Sequence, residues 1–260
     1  MEKVGDFLFT VVSISEKKKS RREEFLDLFR KPRINREEVF TENGKGFLIC
    51  YAEKHRGKIP WSQIKKSSPY EHFILPFGCA DHEDSGIKER KPELLPEIML
   101  FNTATDYIRK NQTQKKTSMV IHDDKALLID KAEKLLKSVS ELTVISRKTV
   151  QYEGFAFEMM KKYGSSVIVR NEAFREINKA DYIFDFSGKE IPLTFSGVAF
   201  SKSKKQTMGG KILTGGGFTM PYCYEKLWDK NTDKLDFASA LYELSGVKEL
   251  TELKFNELCS

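Results

Sequence analysis

A chain of 260 residues, 40% apolar and 32% charged, has material for one or two packed cores and too much of it for a disordered polymer. No apolar run nears the roughly 20 residues needed to cross a bilayer. The net charge of +6 is spread along the chain, which favours solubility over a polyanion partner.

The opening "MEKVGDFLFTVVSISEKKK" carries acids before its apolar patch and no small-residue cleavage site after it. It reads as a first strand, not a secretory signal. Ser20 with Glu23 forms a capping box, so "SRREEFLDLFRKP" is expected to be a helix with Phe25, Leu28 and Phe29 inward, stopped by Pro32. The basic run before it alternates with acids and lacks interleaved aromatics, so nucleic acid is not expected as a partner. "GKGFLICYAE" is a second strand, and Asn43-Gly44 before it signals a hairpin turn. "EHFILPFG" is a third strand, closed by Pro76 and Gly78. Next to it, Cys79-x-x-His82 supplies one ligand-type pair, short of the compact set a zinc ion needs, so no metal is expected. "PELLPEIMLFNTATDYIRK" reads as a helix with Pro96 in its first turn and Leu95, Ile98, Met99 and Tyr107 inward. The polar "KNQTQKKTS" behind it is the expected linker.

Beyond residue 117 the pattern changes. The apolar runs "SMVI", "LTVIS", "SVIV" and "DYIFDF" alternate with helical stretches, the second of which, "YEGFAFEMMKKYG", should end at Gly164. Strand–helix repeats of this kind imply parallel strands joined by right-handed crossovers. The expected fold class is therefore α/β, with a Rossmann-like doubly wound parallel sheet in the C-terminal half and a smaller N-terminal α+β domain. The expected division is residues 1–112 and 113–260, the second part including a C-terminal helix over "LDFASALYELSGV".

In such a sheet ligands bind at the carboxyl edge. The candidate binding residues are those following successive strands: His122, Asp123 and Asp124; then Ser146, Arg147 and Lys148; then Asn171; then Ser187 and Gly188. The first corner has no glycines to let a backbone approach a pyrophosphate, and two of its residues are anions. Asp123 or Asp124 is expected to cap the following helix. Arg147 and Lys148 are suited to a phosphate, or are solvated loop charges. Gly215, Gly216 and Gly217 serve either a tight turn or an anion nest. No GxSxG, HExxH, GxxxxGK[ST] or GxGxxG occurs, so no catalytic residue is assigned.

"VISRKTVQYEGFAFEMMKKYG", a strand followed by Ser146-Arg147-Lys148 and a helix, resembles at fold level the cofactor domain of two-domain dehydrogenases such as the shikimate dehydrogenase group. The resemblance implies that this tip reads the 2′-phosphate of a dinucleotide's adenosine. The group's glycine-rich turn and its substrate-binding motifs are absent. Function is accordingly left at binding of a small ligand or nucleotide, with the cofactor unidentified. The alternative is a non-catalytic scaffold that keeps the fold without the cofactor. Four scattered cysteines without CxxC pairing suit a reducing, cytoplasmic setting.

Overall fold

A computed structural model describes residues 7–15, 29–42, 44–55, 57–79, 82, 85–111, 116–171, 179–186, 195–201 and 210–259. The expected helix after Ser20 lies almost wholly outside these residues. The chain forms two compact units, one of residues 1–95 and 220–251, the other of residues 96–219 and 252–260. Among the described residues, no helix is long and apolar enough to cross a membrane.

The first unit holds strands β1 (Phe7–Ser15), β2 (Ile34–Phe40), β3 (Gly46–Glu53), β4 (His72–Ile74) and β5 (Lys88–Glu89), in the order β2-β3-β1-β4-β5. The β2–β3 hairpin is antiparallel as Asn43-Gly44 suggests, and Gly44 takes the left-handed φ of +79° that such a turn favours. The other pairings, β1 with β3, β1 with β4 and β4 with β5, are parallel. This unit is thus more parallel than its hairpin signal suggests, and β1 is buried on both faces as parallel strands are. On one face Val12, Ile14, Cys50 and Ala52 pack with Trp61 and Ile64 of helix α1 (Trp61–Ser67). On the other, Phe9 stacks on Phe47 at 5.0 Å, and Phe47 meets Phe237 edge-on at 5.5 Å.

The second unit begins within helix α2 (Leu95–Lys110). Its strands are β6 (Ser118–His122), β7 (Glu141–Ile145), β8 (Val167–Arg170), β9 (Tyr182–Asp185), β10 (Val198–Ser201), β11 (Lys211–Gly215) and β12 (Leu258–Cys259). Helix α3 (Ile129–Leu136) joins β6 to β7, and α4 (Thr149–Tyr163) joins β7 to β8. The sheet runs β12-β11-β10-β9-β6-β7-β8, parallel throughout except for β12. Reading β6 to β11 as strands one to six, the order is 3-2-1-4-5-6, which is that of the Rossmann fold. Gly164 ends α4 at φ +65°, as expected. Tyr152, Phe155 and Met159 form the buried side of α4, while Phe157 and Met160 are exposed. The aromatic core joins Phe101 of α2 to Phe184 at 5.6 Å, and Phe184 to Phe200 at 4.9 Å.

The units do not divide where the linker composition places the join. Phe101 packs on Phe184, so α2 belongs with the seven-stranded sheet from Pro96 onward. After helix α5 (Tyr222–Glu225) comes the C-terminal helix α6 (Lys234–Glu243), and α6 belongs with the first unit through Phe237. An amphipathic pattern shows that a helix has a face to bury, not which sheet will bury it. The tail then returns to the second unit: Asn102 Nδ2 donates to the Leu253 carbonyl at 2.8 Å, and the Phe255 N–H donates to Thr103 Oγ1 at 2.8 Å. Two of the three consecutive glycines are explained here, and Gly217 has no structural explanation. A Cβ on Gly215 would strike the Phe255 ring, and one on Gly216 would lie 2.8 Å from the Glu257 carbonyl. Neither glycine has a positive φ, so what they supply is close approach, not a left-handed turn.

Two predictions follow from this packing. Gly215→Ala should destabilise the chain by about 2 kcal/mol through overpacking against Phe255, measured by urea unfolding. Glu243, on α6, accepts from the N–H groups of Glu93, Leu94 and Leu95 at 2.7–3.1 Å and from Arg90 Nη2 at 2.5 Å. Burial alone would raise its carboxyl pKa. The backbone donors at Leu94 and Leu95 and the Arg90 guanidinium outweigh burial and hold it below the usual range. A depressed carboxyl stabilises the fold above its unfolded pKa, and that contribution is lost as pH falls through the folded value. Glu243→Gln should therefore cost about 2 kcal/mol at neutral pH, with the gap to wild type closing below about pH 4; a gap independent of pH would contradict this.

Candidate functional site

The reversal of strand order falls between β6 and β9, the position where open α/β sheets form a ligand crevice at their carboxyl ends. His122 ends β6 in register with Asp185 at the end of β9, and the Phe186 N–H donates to the His122 carbonyl at 2.9 Å. Their side chains also face each other, with His122 Nδ1 3.6 Å from Asp185 Oδ1 and both buried. Ser201, ending β10, donates to Asp185 Oδ2 at 3.2 Å. A nucleophilic triad puts the imidazole between hydroxyl and carboxylate. Here the carboxylate is central, and the three residues tie the strand ends together.

Asp123 is the most connected residue of the corner, and it is buried. Its Oδ1 accepts from the Lys125 N–H at 3.2 Å; its Oδ2 accepts from the Leu128 N–H at 2.9 Å and the Tyr152 hydroxyl at 2.7 Å. Its carbonyl accepts from Ser146 Oγ at 2.6 Å, and Ser146 Oγ in turn accepts from the Lys148 N–H at 3.0 Å. Burial, then the Asp123 charge, push the Tyr152 phenol well above the ordinary tyrosine range, so it stays a donor. Asp123 thus ties the turn but does not cap the helix as expected, because α3 starts only at Ile129, later than hydrophobic periodicity suggests. The intervening loop includes Ala126 at φ +57°, a left-handed conformation costly without glycine. Leu128, in the N-cap position, is fully buried and gives no side-chain cap.

This corner does not fit a dinucleotide's pyrophosphate. The Leu128 N–H at the helix start is taken by Asp123, and the group taking it is an anion. The dehydrogenase resemblance implies that cofactor, but the residues present are not built for its bridging phosphates. No hydride-transfer step is derived from them.

The exposed part of the edge lies one strand over. Arg147 follows β7, is 75% exposed at its side chain, and has its Nε 3.5 Å from Asp124 Oδ2. Lys148 occupies the N-cap position of α4 without a capping side chain. Six of the sequence candidates, His122 to Asp124 and Ser146 to Lys148, therefore gather at the ends of β6 and β7. Asn171, exposed after β8, stands one strand further out. Ser187 and Gly188 lie outside the described residues. Sequence reasoning missed Tyr152, Asp185 and Ser201; an acid closing the apolar run "DYIFDF" was the available signal for Asp185. Among the described residues no group of three or more His, Cys, Asp and Glu could hold a metal ion, and His82 Nδ1 hydrogen-bonds the Cys79 carbonyl at 2.6 Å.

By strand order, the second unit defines an α/β protein of the Rossmann class. No protein-family model and no curated protein matches the chain. Among solved structures it is similar to quinate dehydrogenase from Corynebacterium glutamicum in complex with NAD, at 11% identity and a TM-score of 0.31 over 75% of this chain and 80% of that one. It is similar to shikimate dehydrogenase from Aquifex aeolicus at 14% identity and 0.33, over 95% and 96%. A 5-ketofructose reductase of Gluconobacter sp. strain CHM43 gives 9% and 0.34, over 95% and 96%. At these scores the likenesses carry no argument, and the fold rests on the strand order itself.

The Asp123 web is directly testable. Tyr152→Phe should cost about 2 kcal/mol by denaturant unfolding, as for a buried hydrogen bond to a charged acceptor. In a double-mutant cycle with Asp123→Ala the two losses should be strongly non-additive. Additive losses would mean that the two side chains act independently.

Proposed function

We propose that the second unit binds a phosphorylated, nucleotide-sized ligand at the carboxyl edge of its sheet, with Arg147 and Lys148 on a single phosphate. One observation carries this reading: a 3-2-1-4-5-6 strand order with an exposed basic pair at the tip of its second strand. The contact between Arg147 and Asp124 is solvent-facing on the arginine side, so it is worth little in water. A phosphate offers the guanidinium more charge and a bidentate geometry, and so competes well with Asp124. The grip is on a terminal or ribose phosphate, since the first corner does not suit a bridging diphosphate. Free thiols at all four cysteines suit a reducing, cytoplasmic setting.

A second reading has its own observation. The corner that usually opens for a cofactor is closed by Asp123, Leu128 and Tyr152, which favours a scaffold or regulatory protein that keeps the fold alone. Adenosine 2′,5′-bisphosphate separates the two, because it carries the ribose phosphate without a diphosphate bridge. The expected outcome is saturable binding by calorimetry, weakened about tenfold or more by Arg147→Ala, with NAD binding no better than adenosine. Absence of a heat signal for the bisphosphate and for NADPH at millimolar concentration would leave the scaffold reading standing.

A further inference from the structure

The first unit has a strand-order reversal of its own. β3 and β4 lie on either side of β1 and both run parallel to it, so the carboxyl ends of three strands meet at one edge. A cavity of about 480 Å³ lies there, a volume suited to a small molecule. Ile14 comes from the end of β1, Lys54 and Lys58 from the turn after β3, and Phe77 and Cys79 from the segment after β4. Lys230 is brought in by a segment remote in sequence.

Backbone bonds hold these segments in place. His55 and Lys58 exchange N–H···O=C bonds of 2.8 and 3.0 Å, closing a turn in which Gly57 has a φ of +74°. The Phe77 N–H donates to the Asn231 carbonyl at 2.8 Å, and Pro76 bridges Thr232, so the loop carrying Lys230 is fastened to the loop after β4. Lys58 and Lys230, from two separately anchored loops, thus line one cavity, with no Asp or Glu among its described lining residues. Like charges around a concave surface repel one another and focus an attractive potential on anions. A singly charged ligand leaves most of that repulsion in place, and a multiply charged one offsets more of it. Ile14, Ile59, Pro76 and the 64%-exposed Phe77 supply an apolar wall.

We propose that this cavity binds a small organic anion carrying at least two negative charges, a phosphate monoester or a polycarboxylate. Its charged end lies between Lys58 and Lys230 and its carbon skeleton lies against Phe77. The site is in the other unit from Arg147 and does not depend on the nucleotide reading.

The test titrates the full chain at low salt with phenyl phosphate, citrate and benzoate by calorimetry. Phenyl phosphate or citrate should bind with a Kd below about 1 mM, about tenfold or more tighter than benzoate, and more weakly as salt is added. Whichever dianion binds identifies the headgroup chemistry. The double variant Lys58→Gln/Lys230→Gln should weaken that binding about tenfold, and Arg147→Ala should leave it unchanged. Bound ligand should also slow iodoacetamide labelling of Cys79, followed on its own peptide by mass spectrometry. Failure of both anions to bind the folded chain, binding indifferent to the lysine pair, or binding lost with Arg147→Ala would each overturn the proposal.

Discussion

The geometry of the candidate site depends on one buried carboxylate. Asp123 stands where Rossmann proteins usually place glycine, and it spends its oxygens on the Lys125 and Leu128 amides and the Tyr152 hydroxyl. A buried anion is tolerated only when such donors surround it. The same donors that satisfy Asp123 are therefore withdrawn from any ligand. The delayed start of α3, the left-handed Ala126 and the junction of β6 with α4 through Tyr152 all surround this one group. What the corner gains in fixity it loses as a phosphate cradle.

That exchange moves the chemistry outward. The switch point remains, because strand order is independent of what fills the first turn, but its floor is occupied by the His122–Asp185–Ser201 contacts. Arg147, one strand from the reversal, is a charge left exposed at the edge. The five-stranded sheet shows the complementary arrangement. Its own reversal keeps an open cavity, and the loops over it bring lysines. Parallel strands create such crevices wherever crossovers depart in opposite directions, and loop residues decide which of them stays open.

Much of the framework was legible from residue order. The runs "SMVI", "LTVIS", "SVIV" and "DYIFDF" became β6 to β9 because apolar, β-branched and aromatic segments of strand length have few other ways to bury themselves. Gly164 ended its helix because glycine takes a positive φ at little cost. The hairpin at Asn43-Gly44 was equally local. The site was legible only in part: the loops after strands were placed by position along the chain, but the acid expected to cap α3 ties the turn before it instead, and the N-cap position falls to Leu128. Tyr152 was not legible, since a tyrosine among Phe and Met on a helix looks like one more core residue until its hydroxyl meets a carboxylate 29 positions away.

Local chemistry thus settled, from the sequence alone, many of the strands and helices, where several of them stop, and that the first corner is crowded and negative. Tertiary structure decided the rest. It placed α6 with the first unit and the tail with the second, set Phe255 over Gly215, and carried Lys54, Lys58 and Lys230 to one cavity. The division has a physical cause. Backbone propensity and hydrophobic period act over a few residues, whereas the partner of an apolar face and the neighbours of a charge are chosen by packing among segments far apart in the chain.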